Sequence, residues 1–519
     1  MIGRQEILEF AREVGLDPNV VEKDYVLGWM LAGIAQHPRA RDTWLFKGGT
    51  CLKKCYFETY RFSEDLDFTL LDGSHVDEAF LRQIFVEITE WIYNESGIEL
   101  PEEARAFEVY INPRGNKSAQ GRVGYRGPMQ RQADLPRVRF DLTSDERVVR
   151  EGVRRRVHHP YSDQPEGGIH VLAYCFEEVF AEKLRALTER QRPRDLYDVV
   201  HLHRHETGAD RAAVREVLRA KCEFKGIAVP TIETIRSSPQ HAELRADWQQ
   251  MLAHQLPALP PFDSFWDELP AVFAWLEKEP ERLRPPIMGS GRFEIDPAWR
   301  APAMATSWRA EGIDAPLEII RFAAANRLCV ELDYRDEDGR RGTRVIEPYS
   351  LRRTKAGDLL LYAVRSQDGQ DRSYRVDRIL GARATQQIFT PRYAVELSTT
   401  EPPHAPEVTR AKAPLAHYSF TPGLQPRRPA KPASAISNAF GPRGRTLGSP
   451  FGPSSQFRSK PKRALRGLSG FGQARHVYQC TYCGKKFERS RQDSNLKPHK
   501  TKDGYPCPSR TGYYVTTKY

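Results

Sequence analysis

Between Thr43 and Leu71 the chain sets two strand-like runs around a glycine pair, and this stretch limits the fold more than any other. Thr43–Lys47 reads as a short buried strand that runs into Gly48-Gly49-Thr50, and Cys51–Tyr56 reads as the helix that follows. Glycines let a backbone come close to an anion, and a helix N-terminus offers free N–H groups, so the turn suits a phosphate cradle. Glycine pairs also turn chains that bind nothing. Ser63–Leu71 then alternates: Leu66, Phe68 and Leu70 share one face of a strand, and Asp65 and Asp67 share the other. Two carboxylates so spaced form a clamp for Mg²⁺, a hard ion that takes oxygen ligands and bridges to phosphates; a solvated strand face is the plainer alternative. Arg137–Thr143 alternates in the same way, with Val138, Phe140 and Leu142 on the core side and Asp141 on the other as a third carboxylate.

In Phe176–Arg190 an apolar stripe of Phe176, Val179, Phe180, Leu184 and Leu187 recurs at helical spacing. Lys183 falls in the middle of that stripe, either snorkelling or reaching into a site. Arg192-Pro193-Arg194-Asp195-Leu196-Tyr197-Asp198 opens the next helix, where Asp195 and Asp198 serve a site or simply complement the helix dipole. From 205 to 284 the pattern stays helical; Trp266 and Trp275 read as packing residues.

Four stretches, VEKDYVLGWML (21–31), FKGGTCLKK (46–54), RFSEDLDF (61–68) and EEVFAEKLRAL with RPRDLYDV, resemble the AbiEii-type toxin nucleotidyltransferases, in the family's order. The resemblance implies a polymerase-β-like α+β fold and Mg²⁺- (or Mn²⁺-) dependent transfer of a nucleotide from a nucleoside triphosphate. It also implies a role in phage defence or a toxin–antitoxin pair, with an RNA acceptor, tRNA foremost, and a cognate antitoxin as partner. Carried onto this chain, Asp65, Asp67 and Asp141 would hold the metal, and Asp141 would also help deprotonate the attacking hydroxyl. Gly48, Gly49 and Thr50, with Lys47 and Ser63 beside them, would bind the nucleotide. Lys183 would meet the triphosphate, and Asp195 would act catalytically or in support.

Prolines crowd residues 257–310 and mark a joint near 286. Beyond it, Pro316–Arg327 reads as an amphipathic helix, followed by short alternating strands with turn signals at Asp338-Gly339, Gly357-Asp358 and Asp368-Gly369. The helix, the ELDYRDEDGR hairpin, EPYSLRR, LLLYAV and YRVDRI resemble a WYL domain, although the naming trio has become Leu360-Leu361-Tyr362. That implies an Sm/SH3-like β-barrel that senses a ligand or nucleic acid. Arg352, Arg353, Arg375 and Arg378 are the candidate contacts; internal pairing of Arg378, with the barrel serving only for docking, is the alternative.

Near the end, Cys480-x2-Cys483, then His499 and Cys507, form a set of three thiolates and an imidazole suited to a closed tetrahedral structural Zn²⁺ site. A terminal unit of this size cannot easily bury a core, so a metal staple is physically required. Lys485, Lys486, Arg489 and Arg491, interleaved with aromatics, suit the phosphates and bases of nucleic acid; a solvated basic face is the alternative.

The formal charge of +11 divides unevenly. Residues 401–519 carry 22 Lys+Arg against 5 Asp+Glu, whereas the first 400 carry 57 against 63. The polyanion-binding character is therefore expected in the tail, and the proline- and glycine-rich stretch before the cysteines reads as a flexible linker. The N-terminus lacks an apolar signal core, Val26–Ala35 is too short to span a membrane, and sparse cysteines suit a reducing cytoplasm. The expected organisation is a nucleotidyltransferase domain (1–205), a helical subdomain (206–285), a linker (286–312), the WYL-like barrel (313–398), a basic linker (399–474) and a small zinc module (475–519). The oligomeric state stays open. Transfer to a protein or small molecule, or a WYL-type nucleic-acid-responsive regulator with a silent transferase, are the competing functions.

Overall fold

The structure, a computed structural model, describes residues 1–131, 135–205, 209–278, 283–286, 293–299, 301, 316–397, 475–480, 485–489, 496–499, 507 and 512–518. The chain divides into two compact units, Met1–Arg428 and Pro429–Tyr519.

The first unit opens with helices α1 (Arg4–Val14) and α2 (Pro18–Gln36). Asp17 caps α2 by accepting from the Asn19 N–H at 2.8 Å, with Pro18 in the first turn. Strand β1 (Trp44–Lys47) leads through the four-residue helix α3 (Gly48–Cys51) into a π-helical turn, Leu52–Tyr56, and then to β2 (Asp65–Leu70). Helix α4 (Glu78–Ser96) precedes strands β3 (Arg105–Ile111), β4 (Lys117–Gly124), β5 (Arg137–Thr143), β6 (Val153–Arg156) and β7 (His170–Ala173). These seven strands form one sheet in the order β3-β4-β5-β2-β1-β7-β6. The β2–β5 and β1–β7 pairs are parallel and the others antiparallel, which makes the sheet mixed, as expected for an α+β nucleotidyltransferase.

The alternation read from the sequence is the alternation observed. Leu66, Phe68, Leu70, Val138, Phe140 and Leu142 are all buried, while Asp141 is exposed and Asp65 and Asp67 are half-buried. Helices α5 (Phe176–Arg190), α6 (Pro193–Arg204) and α7 (Arg211–Lys225) follow, with α8 (Ile232–Arg236), α9 (His241–Leu252), α10 (Phe262–Trp266) and α11 (Leu269–Glu277). Within the helical pattern the chain breaks after Trp266, because Pro270 starts a new first turn rather than continuing an old one. Trp275 is buried and stacks on Phe180 at 5.2 Å, and Trp266 stacks on Phe262 at 5.8 Å, so both are packing residues.

Two of the stretches quoted above meet in the core. Asp24 of α2 accepts from Lys54 of the π-helical turn at 2.7 Å and from the Tyr161 hydroxyl at 3.0 Å, and both members of the ion pair are buried. A buried pair of this kind adds little net stability, yet losing one partner strands the other charge. It fixes the π turn, and through it the glycine turn, against α2.

The same unit continues into α12 (Pro316–Ala325) and strands β8 (Leu328–Arg335), β9 (Arg341–Arg353), β10 (Leu359–Arg365), β11 (Gln370–Arg375) and β12 (Ile379–Ile388). All pairs are antiparallel, in the order β11-β10-β9-β8-β12. Gly339, Gly357 and Gly369 sit at the turns with positive φ, where glycine was expected. A three-residue turn, Val376–Arg378, joins the two edge strands β11 and β12. So short a link reaches only about 10 Å, which curls the sheet toward the expected barrel. Tyr334 of β8 and Tyr374 of β11 meet edge to face at 5.1 Å across that curl.

In the second unit, β13 (Arg475–Cys480), β14 (Lys486–Arg489) and β15 (Gly512–Lys518) form an antiparallel three-stranded sheet with β13 in the centre. No helix among the described residues is long and apolar enough to cross a membrane.

Candidate active site

The strand register brings the three carboxylates together. Asp67 of β2 lies directly beside Asp141 of β5, Asp65 lies beside Arg139, and Lys47 of β1 lies opposite Asp67 on its other flank. Burial, then the Asp141 carboxylate, push Asp67 up to about 6; burial, then Asp65, raise Asp141, while a hydrogen bond with Gln120 works against the rise. Carboxylates in that state gain free energy from a cation placed between them, and an all-oxygen set suits Mg²⁺ or Mn²⁺. The residues therefore fit the divalent metal that the chemistry requires.

Gly48 closes the site from the β1 side. Its φ is +81°, and a Cβ there would lie 2.1 Å from Asp67 Oδ2. No side chain fits, so the backbone itself sits against the carboxylate. At Gly49 a Cβ would lie 2.8 Å from Arg61 Nη2 and 3.2 Å from Ser63 Oγ, which places Ser63 beside the turn. Thr50 is fully buried, and its hydroxyl donates to the Asp65 carbonyl at 2.5 Å. Its side chain braces β2 against the turn instead of facing a triphosphate, so only the backbone of Thr50 is left for the expected cradle.

Lys183 does reach into the site rather than snorkel. Its ammonium lies 2.7 Å from Asp198 Oδ2, and with Lys47 it is one of the two cations that draw the Asp67 carboxyl back down. Lys47 is itself held by Glu182 at 3.5 Å and Glu146 at 3.8 Å. Asp195 is 1% exposed and accepts both arms of Arg190 at 2.8 Å, a bidentate pair that ties α6 to α5.

Sequence reasoning weighed Asp198 with Asp195 as a site residue or a dipole complement without giving it a role, and it passed over Arg61. Asp198 is fully buried and accepts from Arg61 Nε at 2.8 Å, Arg61 Nη2 at 3.0 Å and Lys183 at 2.7 Å. Burial works against its charge, but Arg61 and then Lys183 outweigh it and hold the carboxyl well below the usual range. Arg61 also donates to Gln255 Oε1 at 3.0 Å. The only sequence signal was the helical spacing that puts Asp198 one turn beyond Asp195.

The WYL arginines are largely spent on acids of their own domain. Arg352 pairs with Glu396 at 2.5 Å, Arg375 with Asp358 at 2.8 Å and Asp377 at 3.0 Å, and Arg378 with Glu337 at 3.4 Å. Internal pairing, the alternative weighed for Arg378, is what the side chains do; Arg353 stays half-buried on β9.

In the second unit, ligand atoms of Cys480, His499 and Cys507 lie within 4.8 Å of one another. His499 Nδ1 donates to the Lys497 carbonyl at 2.9 Å, which leaves Nε2 as the lone-pair nitrogen, and Nε2 is buried with no protein partner. Two sulfurs and an orphaned imidazole nitrogen fit Zn²⁺. Cys483 and Arg491 lie outside the described residues. Lys485 and Lys486 are exposed, and Arg489 ends β14.

A parallel–antiparallel sheet with paired carboxylates beside a glycine turn defines a nucleotidyltransferase. Residues 29–276 match the family described as nucleotidyl transferase AbiEii toxin, Type IV TA system, and residues 316–384 match the WYL domain. The chain is thus similar to an AbiEii nucleotidyltransferase domain over 29–276 and to a WYL domain over 316–384. Among solved structures, JHP933 from Helicobacter pylori is similar at 16% identity over 51% of this chain and 96% of that one, with a TM-score of 0.32. A second structure from H. pylori, described as a nucleotidyltransferase, is similar at 18% identity over 51% of this chain and 100% of that one, with a TM-score of 0.31. Comparison with curated proteins returns no match.

Proposed function

We propose that this chain is the toxin of a toxin–antitoxin or phage-defence pair and transfers a nucleotide from a nucleoside triphosphate to the end of an RNA, tRNA foremost, in the cytoplasm. The observation that carries the reading is the register of Asp67 against Asp141 with the Gly48 backbone pressed on the same carboxylate. Asp65, Asp67 and Asp141 would hold Mg²⁺ or Mn²⁺, which when bound neutralises phosphate charge and polarises the transferring group. The backbone of Gly48 and Gly49 gives the triphosphate a close approach, with Lys47 and Ser63 at its edge. Lys183, aimed by Asp198, offers a cation to the phosphates. Asp141, the most exposed of the three carboxylates, is the one that an acceptor hydroxyl reaches and to which it loses its proton. Positioning and charge neutralisation account for most of the rate in such a transfer. The WYL domain docks or senses, and the zinc unit with Lys485, Lys486 and Arg489 holds nucleic acid at raised effective concentration. The AbiEii match, described as Type IV TA, supports a cognate antitoxin.

The test is incubation of the full chain with each labelled triphosphate and total RNA, followed by sizing of the product. Asp65→Ala with Asp67→Ala is expected to lower label transfer by about a thousandfold or more. Unchanged transfer, or label found only on protein, overturns the reading.

A further inference from the structure

Beside Asp65 lies a cavity of about 510 Å³ whose wall includes Arg122, Arg137, Arg139 and Arg194. Five cations face it, Lys23 among them, against two acids, Glu64 and Asp65. Lys23 and Glu64 cancel each other at 2.8 Å. The excess of positive charge is local, since the first 400 residues together carry more acids than bases.

Three observations mark the wall as built for an anion. Arg122 and Arg139 are directly opposite each other on antiparallel β4 and β5, both exposed on the same face. Like charges in that position repel, and an anion bridging them would relieve the repulsion. Among the described residues, Arg122, Arg137 and Arg139 make no ion pair. Arg194 stands at the start of α6, with Nε buried and without a hydrogen-bond partner.

The placement says which anion. The sheet order sets β2 between β1 and β5. The glycine turn and Lys47 therefore flank the carboxylates from the β1 side, and Arg122, Arg137 and Arg139 from the β4–β5 side, with Arg194 added by α6. Along β5, Asp141, Arg139 and Arg137 share one face at steps of about 6.6 Å, so positive positions lead away from the carboxylates along a line. We propose that Arg122, Arg137, Arg139 and Arg194 form the acceptor-strand subsite, gripping backbone phosphodiesters of single-stranded RNA whose terminal hydroxyl lies at Asp141. Guanidinium groups match phosphate oxygens two at a time, which fixes the strand's register without reading its bases. The inference rests on the transferase reading, and the triphosphate of the nucleotide is the other source of the same chemistry.

Two measurements on the full chain separate these cases. The first is kinetic: in Arg122→Gln with Arg139→Gln, the acceptor KM is expected to rise about tenfold or more. The KM for the nucleoside triphosphate should stay within twofold, and the slope of log affinity against log salt should fall by roughly 1.4 for two lost contacts. A rise in the triphosphate KM instead, or no change in either, overturns the subsite. The second needs no turnover: a short synthetic single-stranded RNA with a photoreactive 3′ nucleotide is crosslinked and the adducts are mapped. Adducts on residues 117–143 that vanish in the double variant support the subsite even if no label is transferred, in which case only the transferase reading fails. Adducts confined to 475–519, or unchanged by the variant, overturn the subsite. Both substituted side chains are exposed, so folding is retained.

Discussion

Arg321 Nη1 donates to Glu58 Oε2 at 3.0 Å, and both side chains are buried, at 2% and 7% exposed. The same nitrogen donates to Glu318 Oε1 at 3.0 Å. Arg321 belongs to α12 of the WYL domain, whereas Glu58 lies between the π-helical turn and β2 of the catalytic domain. With the bond from the Tyr197 hydroxyl to Asn326 Oδ1 at 2.9 Å, this pair fastens the WYL domain to the segment that shapes the active site.

That fastening has a pH signature. Burial raises the Glu58 carboxyl to about 7 even though Arg321 pulls the other way. A carboxyl raised above its unfolded value holds its proton longer in the folded chain, so between about pH 4.5 and 7 the folded state binds the extra proton. Stability from this group is therefore greatest at the acidic end and falls as pH rises through that window, by on the order of 1–3 kcal/mol. Urea midpoints of the full chain from pH 5 to 8 should show the fall in the natural protein and a flatter profile in Glu58→Gln; parallel profiles would sink the assignment.

Asp198 is the residue on which Lys183 depends. Asp198→Ala leaves Arg61 and Lys183 buried without their shared partner, and stability should drop by about 3–5 kcal/mol. Asp198→Asn keeps the shape but lets the ammonium swing. Its kcat should fall by about a hundredfold with folding intact by circular dichroism. A variant with natural kcat would remove Asp198 from the positioning of Lys183.

How these contacts could or could not be read beforehand follows from their range. The period-two pattern of Leu66, Phe68 and Leu70 is local, and it placed Asp65 and Asp67 on the open face correctly. The Lys183 position inside an apolar stripe was also visible, because a helical wheel needs only its own residues. Arg61 and Asp198 are 137 residues apart, and Glu58 and Arg321 are 263 apart, so no local period could pair them. The partners of the WYL arginines were hidden for a related reason: a basic residue looks free in a sequence until the fold sets Glu396, Asp358 or Glu337 beside it.

Gly48 admits no side chain. Gly48→Ala would force a Cβ to within 2.1 Å of Asp67 Oδ2 at a φ of +81°. Either the turn flips or the carboxylate leaves its place beside Asp141. Nucleotide transfer should fall by at least about a hundredfold, while the thermal midpoint moves by the few degrees that about 1 kcal/mol of strain produces. Natural activity in this variant would show that the close approach of backbone and carboxylate is dispensable.

The second unit is expected to depend on metal for its order. Its described core is small, comprising Tyr478, Cys480, Leu496 and Cys507 with Phe487 packed against them. Among the described residues these apolar groups offset little of the entropy of ordering the strands, whereas a structural zinc site in small units contributes about 10–16 kcal/mol. Elemental analysis of the purified full chain should give one zinc per chain, and His499→Gln or Cys507→Ser should lower that ratio. Thiolates and the imidazole must be deprotonated to bind, so the zinc should be lost progressively on acidification below about pH 6. Chelator treatment should expose β13–β15 to proteolysis while the Met1–Arg428 unit keeps its melting transition. A chain that holds no zinc, or whose terminal sheet resists protease equally with and without chelator, would leave the three-ligand cluster without a structural role.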